Sequence, residues 1–416
     1  MAVESNEQKA AEALLSPVAV RKRALAMLEL ARADRLFHFR LDESKLDGCA
    51  AFVLGVMRDN YPSLDIPFHA RWRHFIVEGE DRWAKLAERA KFADAAEKGR
   101  AAYDLAIVSV LLDAGAGADW RYRDARTGKA IGRSEGLALA SLDMFASGAF
   151  SSDASKPLRV DAEALKKFDA AALAKGFQVS DANPLVGLEG RAALLQRLGN
   201  SMMSAPKDFA TPDGDLRPGG LFDRLSQQAS SGRLPAAVIL KQILRSLGPI
   251  WPSRLSLDGV ALGDCWKHPL AVAHDGGPAG YVPFHKLSQW LSYSLIEPLQ
   301  WADIEVTDID GLTGLPEYRN GGLFLDAGVL TLKNEADAGV AHTVDSLLVV
   351  EWRALTVALL DEIAARIRKL LGRSAAELPL AKVLEGGTWA AGRRIAREKR
   401  VDGSPPLAII SDGTVF

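Results

Sequence analysis

The 416 residues carry 51 basic and 53 acidic side chains, a net charge of -2 at pH 7, with 48% hydrophobic and 25% charged residues. That is globular composition; it excludes the basic excess of a protein built on non-specific nucleic-acid contacts, and no apolar run approaches the ~20 residues of a membrane span. Two cysteines, Cys49 and Cys265, and the opening MAVESNEQKAAEALLS exclude a disulfide framework, a paired-cysteine zinc site and an apolar leader core. A reducing cytoplasm is the expected compartment.

In chain order, the first dozen residues are polar and Ala-rich and read as frayed. Ser16-Pro17 then reads as an N-cap with proline at the first helical position, opening a helix to about Arg35. A second helix is predicted from Asp42, with Leu46, Phe52, Val53 and Val56 facing a core. Asn60–Pro67 is turn-rich, and the stretch from Pro67 to Phe75 is dense in aromatics and arginine. Helices are predicted at about 84–113 (broken or continuous), 134–146, 161–175, 186–203, 219–229 and 236–247, with Gly176 and Gly248 at helix ends. Arg254–Leu262 alternates around Asp258-Gly259 and predicts a hairpin; Gly322–Leu332 and Leu407–Phe416 are further β candidates. Three more helices are predicted at Phe284–Glu297, Asp345–Leu371 and about Ala381–Glu398. The expectation is a mainly α, multi-helical protein with a few short strands. At roughly 150 residues per domain, two or three domains or one large one are allowed. The Pro/Gly-rich stretch 204–220 is the softest point, dividing an N-terminal part, 1–205, from a C-terminal part, 206–416.

No Gly-x-Gly-x-x-Gly opens a helix after a strand, and there is no Gly-Lys-Ser/Thr phosphate loop, His-Glu-x-x-His or Gly-x-Ser-x-Gly elbow. His69 and His74, five apart, do not share a helical face; hydrogen-bonded histidines in an aromatic cluster are the plainer reading than a metal pair. No metal or other cofactor is expected.

Polar residues in unusual settings concentrate in the C-terminal half. On the helix Phe284–Glu297, Phe284, Leu287, Leu291 and Leu295 share an apolar face, while Lys286, Gln289 and Tyr293 recur on another. That second face is either solvated or a pocket wall, with Trp290 and Trp301 close in sequence. The segment 308–322 gathers the carboxylates of Asp308, Asp310 and Glu317, Arg319 and four glycines. It reads either as a turn-rich connector or as a functional loop. Glu351 and Arg353 interrupt the apolar run Leu347–Leu360; a carboxylate buried there must be paired or have a shifted pKa. Either a structural ion pair or a site follows. In the N-terminal half, Arg71, Arg73 and His74 sit among Phe68, Trp72 and Phe75, and Asp143–Asp153 is a small-residue segment with an aspartate at each end. Both read as site walls or as packing and turn chemistry.

Taken together, the stretch Tyr103–Gly117 and the phrases DMFASGAFSSD, GFQVSDANPLVGLEGR, VPFHKLSQWL, DGLTGLPEYRNGGLF, VEWRALTVALLD, LEGGTWAAGRR and SDGTVF resemble the family named for the fungal uracil catabolism protein four, over nearly the whole chain. The resemblance implies a place in uracil catabolism, in which the ring is opened and a ribosylurea species is later split. A weaker resemblance concerns motif order from Asn183 onward. Leu185–Arg191, Phe284-His285-Lys286-Leu287-Ser288-Gln289, Glu317-Tyr318-Arg319 and Val350-Glu351-Trp352-Arg353 are similar to segments of the queuosine 5′-phosphate N-glycosidases. Those proteins have a helical fold related to DNA glycosylases, and the carboxylate before their Tyr-Arg is catalytic; here it is glutamate, one methylene longer than their aspartate.

What the resemblance implies is a hydrolase of N-ribosyl bonds, with a nucleoside- or nucleotide-like small molecule as substrate and no nucleic acid or membrane. Glu317 would be the carboxylate at the anomeric carbon, with Asp310 as a further candidate. Lys286, Arg319 and Arg353 would hold phosphate or ribose hydroxyls, and Glu351 would orient an arginine. Gln289, Tyr293 and Trp389 would line the pocket, with Arg71 and Arg73 closing it. Such chemistry needs no metal: a carboxylate stabilises the oxocarbenium-like state or activates water, and arginine matches phosphate oxygens. The alternatives are a non-catalytic metabolite-binding partner of the ring-opening enzyme, or another non-zinc hydrolase of the same route; association with other enzymes of that route is a further expectation.

Overall fold

The computed structural model describes residues 5–251, 255–272 and 277–410. Helices carry the fold, and among the described residues strands occur only as two-stranded pairs. The mainly α expectation holds. The contacts divide the chain into two units, one of Met1–His69, Ser253–Trp290 and Asp308–Phe416, the other of Ala70–Pro252 and Leu291–Thr307. The expected division after residue 205 lies inside the second unit's range. The helix Lys286–Gln300 contributes its first five residues to the first unit and the rest to the second.

In the first unit the long helix Leu347–Leu371 is the central element, packing on Pro17–Arg32 and Leu46–Asn60. It is buried continuously from Leu348 to Leu360. Ser16 caps Pro17–Arg32 by accepting from Ala19 N, and proline at the first position loses no bond there. From Ser5 on, the expected fraying is not found, Met1–Glu4 lying outside the described residues: Asn6–Leu14 is a helix, because Ser5 and Gln8 form a reciprocal capping box and Ala11 and Leu14 are fully buried. Asp258 and Gly259 both take positive φ, 47° and 78°, so the predicted hairpin turns between Ser256-Leu257 and Val260-Ala261.

Gly322–Leu332 departs from its expected β character. Glu317 caps a helix Tyr318–Asp326, and only Leu330–Leu332 is a strand, antiparallel to Phe39–Leu41. The predicted helix over Ala381–Glu398 is a short helix Leu380–Val383, a π-turn Leu384–Thr388 and a helix Trp389–Lys399. Ala408–Ile410 pairs parallel with Ala341–Thr343, and Ser411–Phe416 lies outside the described residues.

The second unit is built around Ala95–Leu111, buried without interruption from Ala101 to Leu111 and packed on Arg133–Ala146 and Gly220–Ser226. The helical stretch predicted over 84–113 is broken, Arg82–Ala90 then Ala95–Leu111, because Lys91 turns left-handed and Asp94 caps anew. The stretch predicted over 161–175 is likewise two short helices, Ala162–Lys166 and Ala170–Gly176, each capped by an aspartate. Asp104, at the centre of this core, accepts from Arg217 at 2.8 and 3.0 Å and from the backbone N–H groups of Val160 and Gly219. Four donors on one carboxylate are what allow it to be buried at all.

Candidate functional site

The polar residues of the first unit converge around the N-terminus of the helix Tyr318–Asp326. Glu317 is its N-cap: the two carboxylate oxygens accept from Arg319 N at 2.7 Å and Asn320 N at 2.6 Å. A carboxylate there also faces the positive end of the helix dipole. Burial pushes the Glu317 carboxyl above the usual glutamate range, while those two N–H bonds and the nearby charges of Lys286 and His69 pull it back. Desolvation prevails, so this carboxyl holds its proton to higher pH than an exposed glutamate.

Lys286 begins the helix that follows Phe284-His285. His285 stands in the left-handed region, φ 49°, is buried, and bonds through Nε2 to Leu14 O. The N-terminal helix thereby fixes the turn that sets out Lys286. The N–H of Lys286 donates to Asp264 Oδ2 at 2.9 Å. Three residues on, Gln289 is fully buried; its amide donates to Thr313 Oγ1 at 2.7 Å and accepts from Thr313 N. Of the two readings of the Lys286–Gln289–Tyr293 face, the solvated one fails, since Gln289 and Tyr293 are both 0% exposed. Gln289 holds the loop leading to Glu317 in place.

Asp264 carries no periodic or motif signal and was missed by sequence reasoning. It accepts from both arms of Arg353, at 2.7 and 2.8 Å, and from Trp266 Nε1 at 2.7 Å. The guanidinium beside it holds its carboxyl well below the usual range. Arg353 also donates to Pro316 O, directly before Glu317, and stacks over Phe284, 4.1 Å from the ring centroid. Arg353 thus ties three strands of chain together around the Glu317 cap.

Glu351 is 0% exposed. Its oxygens accept from Phe37 N and His38 N, both at 2.9 Å, and His268, equally buried, lies 3.3 Å away. Its carboxylate pins the strand Phe39–Leu41, and these partners include no arginine. Asp310 accepts from Arg368 at 2.5 Å and from Leu380 N at 2.7 Å, which anchors the helical segment that leads into the π-turn. Arg319 donates to Gly403 O and lies over Tyr318.

Trp389, half-buried beneath Arg393, lines a cleft of about 520 Å³ with Val56, Asn60 and Arg397.

A further dyad was not singled out from the sequence. His69 Nδ1 is 2.7 Å from Glu385 Oε2, and Tyr61 donates to Glu385 Oε1 at 3.2 Å. Glu385 lies in the π-turn, where Gly386 and Gly387 pack against Ile66, Met57 and Val53 with no room for a Cβ. The His69 ring is 6.4 Å from that of Trp290.

Arg71, Arg73 and Tyr293 belong to the second unit. Arg71 is fully buried and bonded to Ser109, Ser134 and Asp113; Arg73 makes a forked pair with Glu297 at 2.7 and 2.8 Å. Among the described residues, no group of three or more His, Cys, Asp or Glu is placed to hold a metal ion, and no helix is long and apolar enough to cross a membrane.

Residues 13–416 match the family described as protein of unknown function (DUF1688). The chain belongs to this family. It is 41% identical over 411 residues to "Protein urg3" of Schizosaccharomyces pombe, covering 97% of this chain and 98% of that protein. It is 40% identical over 410 residues to "Uracil catabolism protein 4" of Lachancea kluyveri, covering 91% of this chain and 92% of that one. The family resemblance read from the sequence is therefore correct, and this DUF1688 member is similar to both proteins over at least 91% of its length.

Proposed function

We propose that the protein acts in uracil catabolism as a hydrolase of the N-ribosyl bond of a ring-opened uridine derivative, ribosylurea or its 5′-phosphate. The printed name of the Lachancea kluyveri relative supports the route; for the bond, the reading rests on the weaker resemblance of the motif order to N-glycosidases. The observation that carries the reading is Glu317, a partly buried carboxyl of raised pKa at a helix N-terminus, beside Lys286 and His69. Splitting a ribosyl C–N bond builds positive charge at the anomeric carbon and the ring oxygen. A carboxylate next to that carbon stabilises the charge and accepts a proton from the attacking water. Lys286, at the start of its helix, supplies the cation for a phosphate or a ribose hydroxyl. Arg353 acts by positioning: its two arms are taken by Asp264, and that pair holds Lys286 and Pro316.

Purified protein incubated with ribosylurea and with its 5′-phosphate should release urea, with uridine monophosphate unchanged, and Glu317→Gln should abolish release while keeping the fold. Urea released at the wild-type rate by that variant would sink the assignment of Glu317. A second reading, a metabolite-binding protein without turnover, is favoured by one observation: both Glu317 oxygens already serve the helix cap. It predicts thermal stabilisation by the same compounds and no urea.

A further inference from the structure

A carboxylate at the anomeric carbon answers half of the chemistry. The other half is the leaving group: a urea nitrogen expelled as an anion is a very poor leaving group, so the site needs a proton donor. The first unit offers one built for the task. His69 Nδ1 is engaged at 2.7 Å by Glu385, whose other oxygen accepts from the Tyr61 hydroxyl. The backbone N–H of His69 is fixed on Ala381 O at 3.0 Å. Among the described residues Nε2 has no hydrogen-bond partner, and the side chain keeps 14% exposure, so that nitrogen is open to a ligand. Glu385 itself is aimed by the π-turn Leu384–Thr388, an irregularity found often at functional sites. Glu317 lies close enough for the charges of both His69 and Lys286 to act on it.

Resting on the N-ribosyl reading above, we infer that His69, oriented by Glu385 and Tyr61, is the general acid that protonates the leaving nitrogen, opposite in role to Glu317. In the step, the C1′–N bonding pair goes to nitrogen, which takes the Nε2 proton of the His69 imidazolium. The water oxygen bonds to C1′, and its proton goes to Glu317. Return of that proton to His69 through solvent restores both groups, so the sum is addition of one water across the bond. Glu385 is a positioning residue: it fixes the tautomer and stabilises the imidazolium.

The test compares two leaving groups on the full-length protein. 4-Nitrophenyl riboside, with or without a 5′-phosphate, departs as a stable phenolate and needs no proton. His69→Gln should lower urea release from ribosylurea by on the order of 10²-fold or more while leaving nitrophenolate release within a few-fold of wild type. Glu317→Gln should depress both. Glu385→Gln keeps a hydrogen bond at Nδ1 but removes the charge, and should lower urea release from ribosylurea more than nitrophenolate release. The comparison of substrates within one variant controls for misfolding. An active wild type whose His69→Gln variant loses both activities equally, or neither, overturns the assignment of His69 alone. Wild type inactive on both substrates overturns the N-ribosyl reading, and His69 as its acid with it.

Discussion

Asp264 and Arg353, 89 residues apart in sequence, meet in a forked pair at 2.7 and 2.8 Å, with the arginine 1% exposed. Losing one member of such a pair strands a charge. Asp264→Asn or Arg353→Met should each cost about 3–5 kcal/mol in denaturant unfolding, and the double replacement by apolar residues should cost less than the two singles summed. Additive losses would show that the two side chains are not coupled.

The same pair sets an acid dependence. The Asp264 carboxyl is depressed in the folded protein, so its contribution is present above the unfolded aspartate value near 3.9 and is lost as pH falls through the folded value. The stability gap between wild type and Asp264→Asn should be flat from pH 5 to 8 and close only below about pH 4. A gap that closes between pH 5 and 6 contradicts the depressed carboxyl.

Glu317 behaves with the opposite sign. Its carboxyl is raised by burial, so the folded protein holds the proton more tightly than the unfolded chain. Stability from this group is fully present below the unfolded glutamate value, about 4.3, and drains away as pH rises through the folded value. Wild type should therefore lose ground to Glu317→Gln as pH climbs from about 4 toward neutrality, after allowing about 1 kcal/mol for the impaired cap. On the proposed role of Glu317, activity would need the ionised form and should rise over the same window, with a midpoint above that of an exposed glutamate.

Gln289→Leu keeps volume but strips both Thr313 bonds, one to its hydroxyl and one from its N–H. A loss of about 1–3 kcal/mol is expected, together with faster hydrogen exchange at the Thr313 amide. Unchanged exchange at Thr313 would mean that the loop is held elsewhere.

Gly392→Ala brings a Cβ to 2.1 Å from Arg319 O, backbone that cannot swing away. The helices Tyr318–Asp326 and Trp389–Lys399 must then part, at a cost of about 1–3 kcal/mol, and the Glu317 cap should shift with them. A melting temperature equal to wild type would show that this close approach is not rigid.

Much of the helical layout was legible because burial imposes a period on the sequence: Ser16-Pro17, the run from Leu347 onward and the Asp258-Gly259 turn all advertise their geometry locally. The region after Glu317 was misread because two glycines, Gly321 and Gly322, lower helix propensity. Their reason is distant: a Cβ on Gly321 would strike the Trp352 indole at 2.7 Å, and one on Gly322 would meet Pro406 at 3.0 Å. Within the site, Glu317 and Lys286 stood out through motif order, whereas Asp264 and the His69–Glu385 dyad did not. The dyad partners are 316 residues apart, and a hydrogen bond at that separation leaves no spacing in the sequence. Glu351 and Arg353 were conspicuous as charges in an apolar helix, but residue type alone could not reveal that backbone N–H groups and an aspartate were their partners.

The first unit's three separated stretches bear on how the protein is made. Synthesis runs from the N-terminus, so His69 leaves the ribosome long before Lys286 and longer still before Glu317 and Glu385. The second unit has all its residues by Thr307, whereas the Trp389–Lys399 helix, against which the Glu317 helix packs, is made after it. Chains stalled or cut before that helix should carry every residue of the second unit but a Glu317 helix without its packing partner.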